Sequence, residues 1–151
     1  MIKIITVGKL KEKYLIDAIE EYKKRLSKYT KLEIIEVKDE SNYEEEKNKE
    51  KEAESIERYL NDKDYIITLE IEGKELTSIE FANKLDNIFN TNNNITFIIG
   101  GSYGLSNIIK DKANYKLSFS KMTFPHQLFR VILLEQIYRA FKINNNESYH
   151  K

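Results

Sequence analysis

The apolar run Ile95–Ile99 (ITFII) is the feature that most constrains the fold of this chain. A continuous apolar run of this length suits a strand that is covered on both faces, as the central strands of parallel sheets are. The run ends in the loop Gly100–Ser106 (GGSYGLS), whose glycines let a ligand approach the backbone. We therefore expect a ligand-accessible loop at the end of a central strand.

The other segments alternate between strand and helix patterns. The predicted strands are Ile2–Val7, Leu32–Val37, Tyr65–Ile71 and Leu117–Phe119, and a turn at Glu72 and Gly73 is predicted to follow the third of these. The predicted helices are Tyr14–Tyr29, Thr77 to about Asn90, and Pro125 to about Lys142. Thr77 and Glu80 form a capping box, and Ser106 can cap a further short helix. The alternation predicts an α/β fold with helices on both faces of a mostly parallel sheet, in one domain spanning residues 1–151.

Composition limits the classes of protein to be considered. The chain has 25 basic and 25 acidic residues and no cysteine, which excludes disulfides and thiolate metal sites. The apolar run Ile4–Val7 is too short for a signal peptide or a membrane span, so we expect a cytoplasmic protein without membrane or metal partners. A formal net charge of zero does not indicate a protein that binds nucleic acid through charge alone.

The charges are unevenly distributed. Residues 1–37 carry nine basic and six acidic side chains, residues 38–100 carry eight and sixteen, and residues 101–151 carry eight and three. The two ends are thus expected to form a polyanion-facing side, although such asymmetry also serves solubility. The acidic segment Lys38–Glu54 is expected to be a solvated loop or helix face, before Ile56, Tyr59 and Leu60 close a helix.

Apolar residues surround the predicted helix Pro125–Lys142 almost completely. A monomer of this size rarely buries a helix on all sides. The pattern therefore predicts a homodimer in which this helix packs on the sheet and on a partner subunit, the alternative being a central helix of a monomer.

Several motifs together indicate a family. They are FSKMTFPHQLFR (Phe119–Arg130), GGSYGLS, TLEI (Thr68–Ile71), the terminal YHK (Tyr149–Lys151) and VGKLKEKY (Val7–Tyr14). The chain resembles, over its whole length, the ribosomal large-subunit pseudouridine N3-methyltransferases, small members of the knotted SPOUT class. The resemblance implies S-adenosylmethionine-dependent methylation of N3 of a pseudouridine in 23S rRNA, on assembled ribosomes. It also implies a deep trefoil knot over about residues 95–146.

The resemblance further implies which residues bind the cofactor. They are Leu69, Gly100 and the run Phe119, Ser120, Lys121, Met122, Thr123 and Phe124. We add Gly101, because it too would let S-adenosylmethionine approach the main chain, although two glycines also suit an ordinary tight turn. No GxxxxGK[ST] or GxGxxG motif is present.

Four residues are candidates for catalysis. His126 is expected in the first helical turn, where the helix dipole keeps imidazole neutral, so it can accept a proton or simply cap the loop. Arg130, one turn further, can hold a phosphate, orient a base or form a surface or interface salt bridge. By composition Tyr149 and His150 should fray, whereas the resemblance implies that they contact the target base. Lys151 stands where many relatives have arginine, which removes bidentate phosphate binding.

The chemistry leaves alternatives within the methyltransferases. Without cysteine the chain cannot form the covalent adduct usual in pyrimidine C5 methylation, whereas direct attack by a ring nitrogen needs only positioning and an acceptor for its proton. A SPOUT enzyme acting on tRNA would share the cofactor loops. A non-catalytic, cofactor-binding ribosome assembly factor is the alternative from another class.

Overall fold

A computed structural model describes every residue from 1 to 151. In chain order the elements are β1 (Ile2–Val7), α1 (Lys13–Leu26), β2 (Leu32–Val37), α2 (Glu45–Glu57), β3 (Tyr65–Glu75), α3 (Ser78–Phe89), β4 (Ile95–Ile99), α4 (Asn107–Lys110), β5 (Tyr115–Ser118) and α5 (His126–Asn144). The strands form one five-stranded sheet in the order β2-β1-β4-β3-β5. Every strand pair is parallel, which confirms the predicted fold class.

The sheet is covered on both faces. One core joins the sheet to α1, α3 and α5, and the other joins it to α2 and α4. β4 lies between β1 and β3, and Phe97 faces the first core while Ile98 faces the second. All five residues of β4 are buried, as the continuous apolar run predicts.

Several local predictions are confirmed. The bounds of β1, β2 and β4 coincide with the predicted runs. Thr77 accepts a hydrogen bond from the Glu80 N–H at 3.1 Å, and the Glu80 side chain accepts one from the Thr77 N–H at 2.9 Å, which completes the capping box of α3. Ser106 caps α4 by accepting from the Ile108 N–H at 3.2 Å.

The predicted turn at Glu72 and Gly73 is wrong, because β3 continues to Glu75. The pairing of β3 with β5 shifts register between Leu69 and Lys74, and the intervening residues include Gly73. A Cβ on Gly73 would lie 2.7 Å from the backbone carbon of Leu117, so glycine is needed here for a close approach of two strands.

The acidic segment Lys38–Glu54, which contains most of α2, is only partly a solvated surface. Asn48 and Glu52 of α2 are buried, together with Ala53 and Ile56. The Glu52 carboxylate accepts a hydrogen bond from the Glu40 N–H at 2.9 Å. Burial, followed by the neighbouring acidic side chains, raises the pKa of Glu52 to about 7. This helix therefore uses polar groups as part of its buried face.

Helix α5 packs on the sheet through Leu133, Leu134 and Ile137, and it contacts both α1 and α3. Much of its apolar circumference is thus covered within one subunit. Leu128 remains 38% exposed and Ile132 is half-buried. The homodimer, like the trefoil knot, stays a prediction. None of the helices is long and apolar enough to span a bilayer.

Candidate active site

A cavity of ≈ 370 Å³, which we call the cleft, opens at the carboxyl ends of β4 and β5 and beside the part of β3 where its pairing with β5 is interrupted. The predicted cofactor residues that line it are Leu69, Gly100, Gly101, Phe119, Ser120, Met122, Thr123 and Phe124. Lys121 is exposed and does not line it. The carboxyl ends of parallel strands meet at one edge of a sheet, so three separate sequence segments converge here.

The glycine loop after β4 is built from close backbone contacts. A Cβ on Gly100 would lie 2.8 Å from the carbonyl carbon of Gly104, and one on Gly101 would lie 3.0 Å from a methyl group of Val7. The Gly104 N–H donates to the Gly101 carbonyl at 3.0 Å, and Gly104 has a φ of 80°. The loop is thus a tight turn whose own packing requires glycine, and the same turn forms one wall of the cleft.

The loop after β5 presents its backbone to the cleft. The Met122 N–H donates to the Ser120 hydroxyl at 3.0 Å, which fixes a turn. The N–H groups of Lys121, Thr123 and Phe124 donate to no other group of the protein. Phe119 stacks edge-on against Phe129 of α5 at 4.9 Å between ring centroids, which anchors the loop. The loop is therefore anchored at Phe119, while the amides of Thr123 and Phe124, which line the cleft, have no partner in the protein.

Glu70 is a cleft residue that the sequence analysis did not single out. Its side chain is only 7% exposed and accepts a hydrogen bond from the Thr68 hydroxyl at 2.6 Å, and Lys110 lies 3.7 Å away. Carboxylates are rarely buried unless they are paired, so Glu70, which lines the cleft, is a candidate ligand-binding group. The signal in the sequence was an acidic residue inside the TLEI motif, at the point where an apolar strand ends.

His126 begins α5 and joins the cleft to a second cavity. That cavity, of ≈ 510 Å³, lies at the carboxyl ends of β1 and β2 and is called the basic cavity, because Lys9, Lys11 and Lys38 line it. His126 lines both spaces and is half-buried. It is thus the one candidate catalytic residue that the structure places beside the predicted cofactor residues.

Arg130 occupies a structural position between α5, β1 and β2. It is 3% exposed, and its Nη1 lies 2.5 Å from the Glu36 carboxylate. Its Nη2 donates to the carbonyl of Gly8 at 2.8 Å and to that of Val7 at 3.4 Å. Arg130 therefore forms a salt bridge, but a buried one within the subunit and not the surface or interface pair that was predicted. The fork of Arg130 is engaged inside the subunit and is not presented to a phosphate.

Comparison with known proteins decides the family. The family model described as predicted SPOUT methyltransferase matches residues 1–150. The chain belongs to the SPOUT methyltransferase family. The enzyme class predicted from the motifs is thereby confirmed as a methyltransferase.

Relatives of this SPOUT methyltransferase extend over its full length. A ribosomal RNA large subunit methyltransferase H from Clostridium beijerinckii is 59% identical, with 99% of each chain covered. The protein of the same name from Clostridium acetobutylicum is 55% identical, again with 99% of each chain covered. A solved structure, described as a probable methylase family protein from Haemophilus influenzae Rd KW20, matches with a TM-score of 0.61 and 14% identity, and the alignment covers 99% of this chain and 70% of that one. At that identity the solved structure supports the fold alone.

The C-terminal tail of this SPOUT methyltransferase is docked on α5, so the expectation of a frayed end is wrong. Glu147 accepts hydrogen bonds from the Tyr29 hydroxyl at 2.8 Å and from Lys142 at 3.1 Å, and these bonds lower its pKa to about 2. The Tyr149 hydroxyl donates to Glu135 at 2.8 Å. The ring of His150 lies 3.1 Å from the Arg139 guanidinium.

The docked tail does not reach the cleft within one subunit. Tyr149 and His150 line neither the cleft nor the basic cavity, and their partners lie in the second half of α5. Burial and the nearby Glu135 carboxylate raise the pKa of the Tyr149 hydroxyl. The structure therefore brings His126 to the cofactor residues and leaves Tyr149 and His150 on a separate surface.

Proposed function

We propose that this SPOUT methyltransferase transfers a methyl group from S-adenosylmethionine to N3 of a pseudouridine in 23S rRNA on the assembled ribosome. The observation that carries the proposal is the full-length similarity to relatives named ribosomal RNA large subunit methyltransferase H, at 55–59% identity. In the same proposal the enzyme is a cytoplasmic homodimer of one-domain subunits. A net charge of zero supports a structured particle as substrate, because such a protein depends on shape more than on long-range attraction.

The cleft fits the cofactor that this family uses. Gly100 and Gly101 line it with backbone alone. The free amides of Thr123 and Phe124 can bond the edge of an adenine, and the Glu70 carboxylate can accept from hydroxyl or ammonium groups. When bound, S-adenosylmethionine supplies an electrophilic methyl group on a sulfonium.

The protein's contribution to this reaction is positioning. Attack in line with the sulfonium needs the acceptor nitrogen held beside the cleft, and such alignment can supply most of the lowering of the barrier. His126, at the wall between the cleft and the basic cavity, is placed to accept a hydrogen bond or a proton from the base. Arg130 acts through position, because it fixes the backbone of Gly8 next to His126.

In the proposed homodimer the tail takes part in binding the substrate. Tyr149 and His150 dock on α5, and Leu128 and Ile132 are apolar residues of the same helix that are not part of the core cluster. A partner subunit packed on this helix would lie next to the tail. The tail is therefore proposed to complete the binding site for the base at the subunit interface.

The test is a methylation assay with three substrates. Purified protein and labelled S-adenosylmethionine are incubated with unmodified ribosomes, with free 23S rRNA and with tRNA, and the labelled nucleoside is identified by mass spectrometry. We expect N3-methylpseudouridine in ribosomal 23S rRNA. Label in tRNA would favour the tRNA methyltransferase, and cofactor binding without any transfer would favour the non-catalytic assembly factor.

A further inference from the structure

The basic cavity adjoins the cleft at a shared wall. His126 lines both, and its Nε2 lies 4.0 Å from the point where a Cβ would stand on Gly8 of the basic cavity. Asp39, also in the basic cavity, has its Oδ1 3.7 Å from the Cβ position of Gly101 in the cleft. A group bound in the basic cavity can therefore meet a methyl donor bound in the cleft.

The polarity of the basic cavity suits an anionic, hydrogen-bonding ligand. Val37 is the only apolar residue among those that line it, and three lysines stand against two carboxylates, of which Glu36 is already paired with Arg130. Lys9 and Lys11 are exposed and take part in no ion pair, and Lys38 has only a loose contact with Glu40 at 3.8 Å. Three cations without close partners at one cavity form a site for phosphate groups.

The floor of the basic cavity is rigid. Gly8 has a φ of 96°, a conformation that favours glycine, and its carbonyl accepts from Arg130 at 2.8 Å. Glu36 accepts from Arg130 and, at 2.7 Å, from the Leu10 N–H. The pair neutralises Glu36 and holds the backbone from Gly8 to Leu10, so Lys9 is presented from a fixed segment rather than from a mobile loop.

We infer that the basic cavity holds the target nucleotide of an RNA substrate, with Lys9, Lys11 and Lys38 on its flanking phosphates and its base against His126 and Asp39. The inference rests on the proposed function and adds the place of the substrate to it. A nucleotide matches the two halves of the cavity, because its phosphates are anionic while its base carries a ring N–H. Because the Asp39 carboxylate repels phosphate, it is assigned to the base, where it accepts a hydrogen bond from the ring N–H.

The test compares two double variants with the same loss of charge. K9Q/K11Q changes the basic cavity, and K24Q/K31Q removes two exposed, unpaired lysines in α1 and just before β2. Binding to unmodified ribosomes is measured over a range of salt concentrations, and S-adenosylmethionine affinity is measured by calorimetry. We expect K9Q/K11Q to weaken ribosome binding roughly tenfold and to lower the slope of log K against log salt by about 2, with cofactor affinity unchanged. K24Q/K31Q should bind ribosomes with the affinity and the salt dependence of the wild type.

The outcomes separate the inference from the proposed function. If the wild type methylates ribosomes and K9Q/K11Q binds and reacts like K24Q/K31Q, the basic cavity is not the nucleotide site although the function stands. If the wild type methylates neither ribosomes nor rRNA, the proposed function fails and the inference fails with it. The role of Asp39 is tested with D39A, which removes the acceptor and should lower the single-turnover rate while ribosome and cofactor affinities are kept. An unchanged rate would remove Asp39 from the contact with the base.

Discussion

The Arg130 guanidinium and the Glu36 carboxylate, 2.5 Å apart, join the first turns of α5 to the end of β2. Arg130 also bonds the end of β1 through the Gly8 carbonyl. One side chain thus connects three elements beside the candidate active site. Its loss would affect both the stability of the fold and the geometry around His126.

We predict that Arg130→Lys lowers the free energy of unfolding by about 2 kcal/mol, because an ammonium cannot serve Glu36 and two carbonyls with the same fork. Denaturant unfolding at pH 7 measures the change. Arg25→Lys is the control, since Arg25 forms an exposed pair with Glu21 at 2.8 Å and should change stability by less than about 0.5 kcal/mol. Equal effects of the two substitutions would contradict a structural role for Arg130.

A pH-dependent stability is expected from Glu52. In the folded protein burial raises its pKa to about 7, whereas the unfolded chain has the ordinary value of 4.5. The folded state then binds more protons between these values, so the contribution of Glu52 is most favourable below pH 4.5 and is lost as the pH rises through about 7. Glu52→Gln, which keeps the acceptor for the Glu40 N–H, should gain stability relative to the wild type as the pH rises from 5 to 8.

The exposed Glu54 of the same helix provides the comparison for Glu52. The free energy of unfolding of Glu54→Gln should change with pH in the same way as that of the wild type across this range. If the free energies of unfolding of Glu52→Gln and the wild type differ by a constant amount from pH 5 to 8, folding does not raise the pKa of Glu52.

Cofactor binding should be sensitive to the volume of the cleft. Thr123 is exposed and lines it, so Thr123→Trp should weaken S-adenosylmethionine binding at least about tenfold by occupying the space. Thr91→Trp, at an exposed position before β4 on the opposite edge of the sheet, should leave the affinity unchanged. Calorimetry gives both values. Gly100 is a poorer probe, because a Cβ there would collide with Gly104 even without ligand.

The dimer should depend on the exposed side of α5. Leu128→Glu should produce monomers in sedimentation experiments, because association would bury an unpaired charge. Ile108→Glu, at a similarly exposed apolar position on α4 across the sheet, should leave the dimer intact. Leu133 is unsuitable for this purpose, since it is 0% exposed and its replacement by Glu would damage the core. A wild type that sediments as a monomer at micromolar concentration would refute the dimer.

Deletion of Tyr149 to Lys151 should keep cofactor affinity and remove most methylation, because the tail lies away from the cleft within its own subunit. Single-turnover assays on ribosomes measure the methylation step. Tyr149→Phe is the matched control for packing, since it keeps the ring against Tyr138 and loses only the bond to Glu135. A truncated enzyme with wild-type turnover would show that the tail serves the fold alone.

Much of the fold follows from local sequence patterns. The runs Ile2–Val7 and Ile95–Ile99 predict β1 and β4 at their observed bounds, because inner strands of a parallel sheet are covered on both faces and are largely apolar. The alternating run Leu32–Val37 predicts the edge strand β2 at its observed bounds. Thr77 and Glu80 determine the start of α3 through bonds that span only three residues. The convergence of Gly100 with Phe119–Phe124 also follows, since strand ends in a parallel sheet lie at one edge.

Only the tertiary structure decided the features that depend on partners distant in sequence. Arg130 is paired because Glu36, 94 residues away, ends the neighbouring strand, and no spacing rule connects the two. The tail is docked because Glu147 meets Tyr29 of the segment after α1, at a separation of 118 residues. Glu52 is buried although its helix reads as solvated, because the Glu40 N–H satisfies its carboxylate. Local patterns specify elements through short-range geometry, whereas the partners of buried charges are known only when the elements have packed.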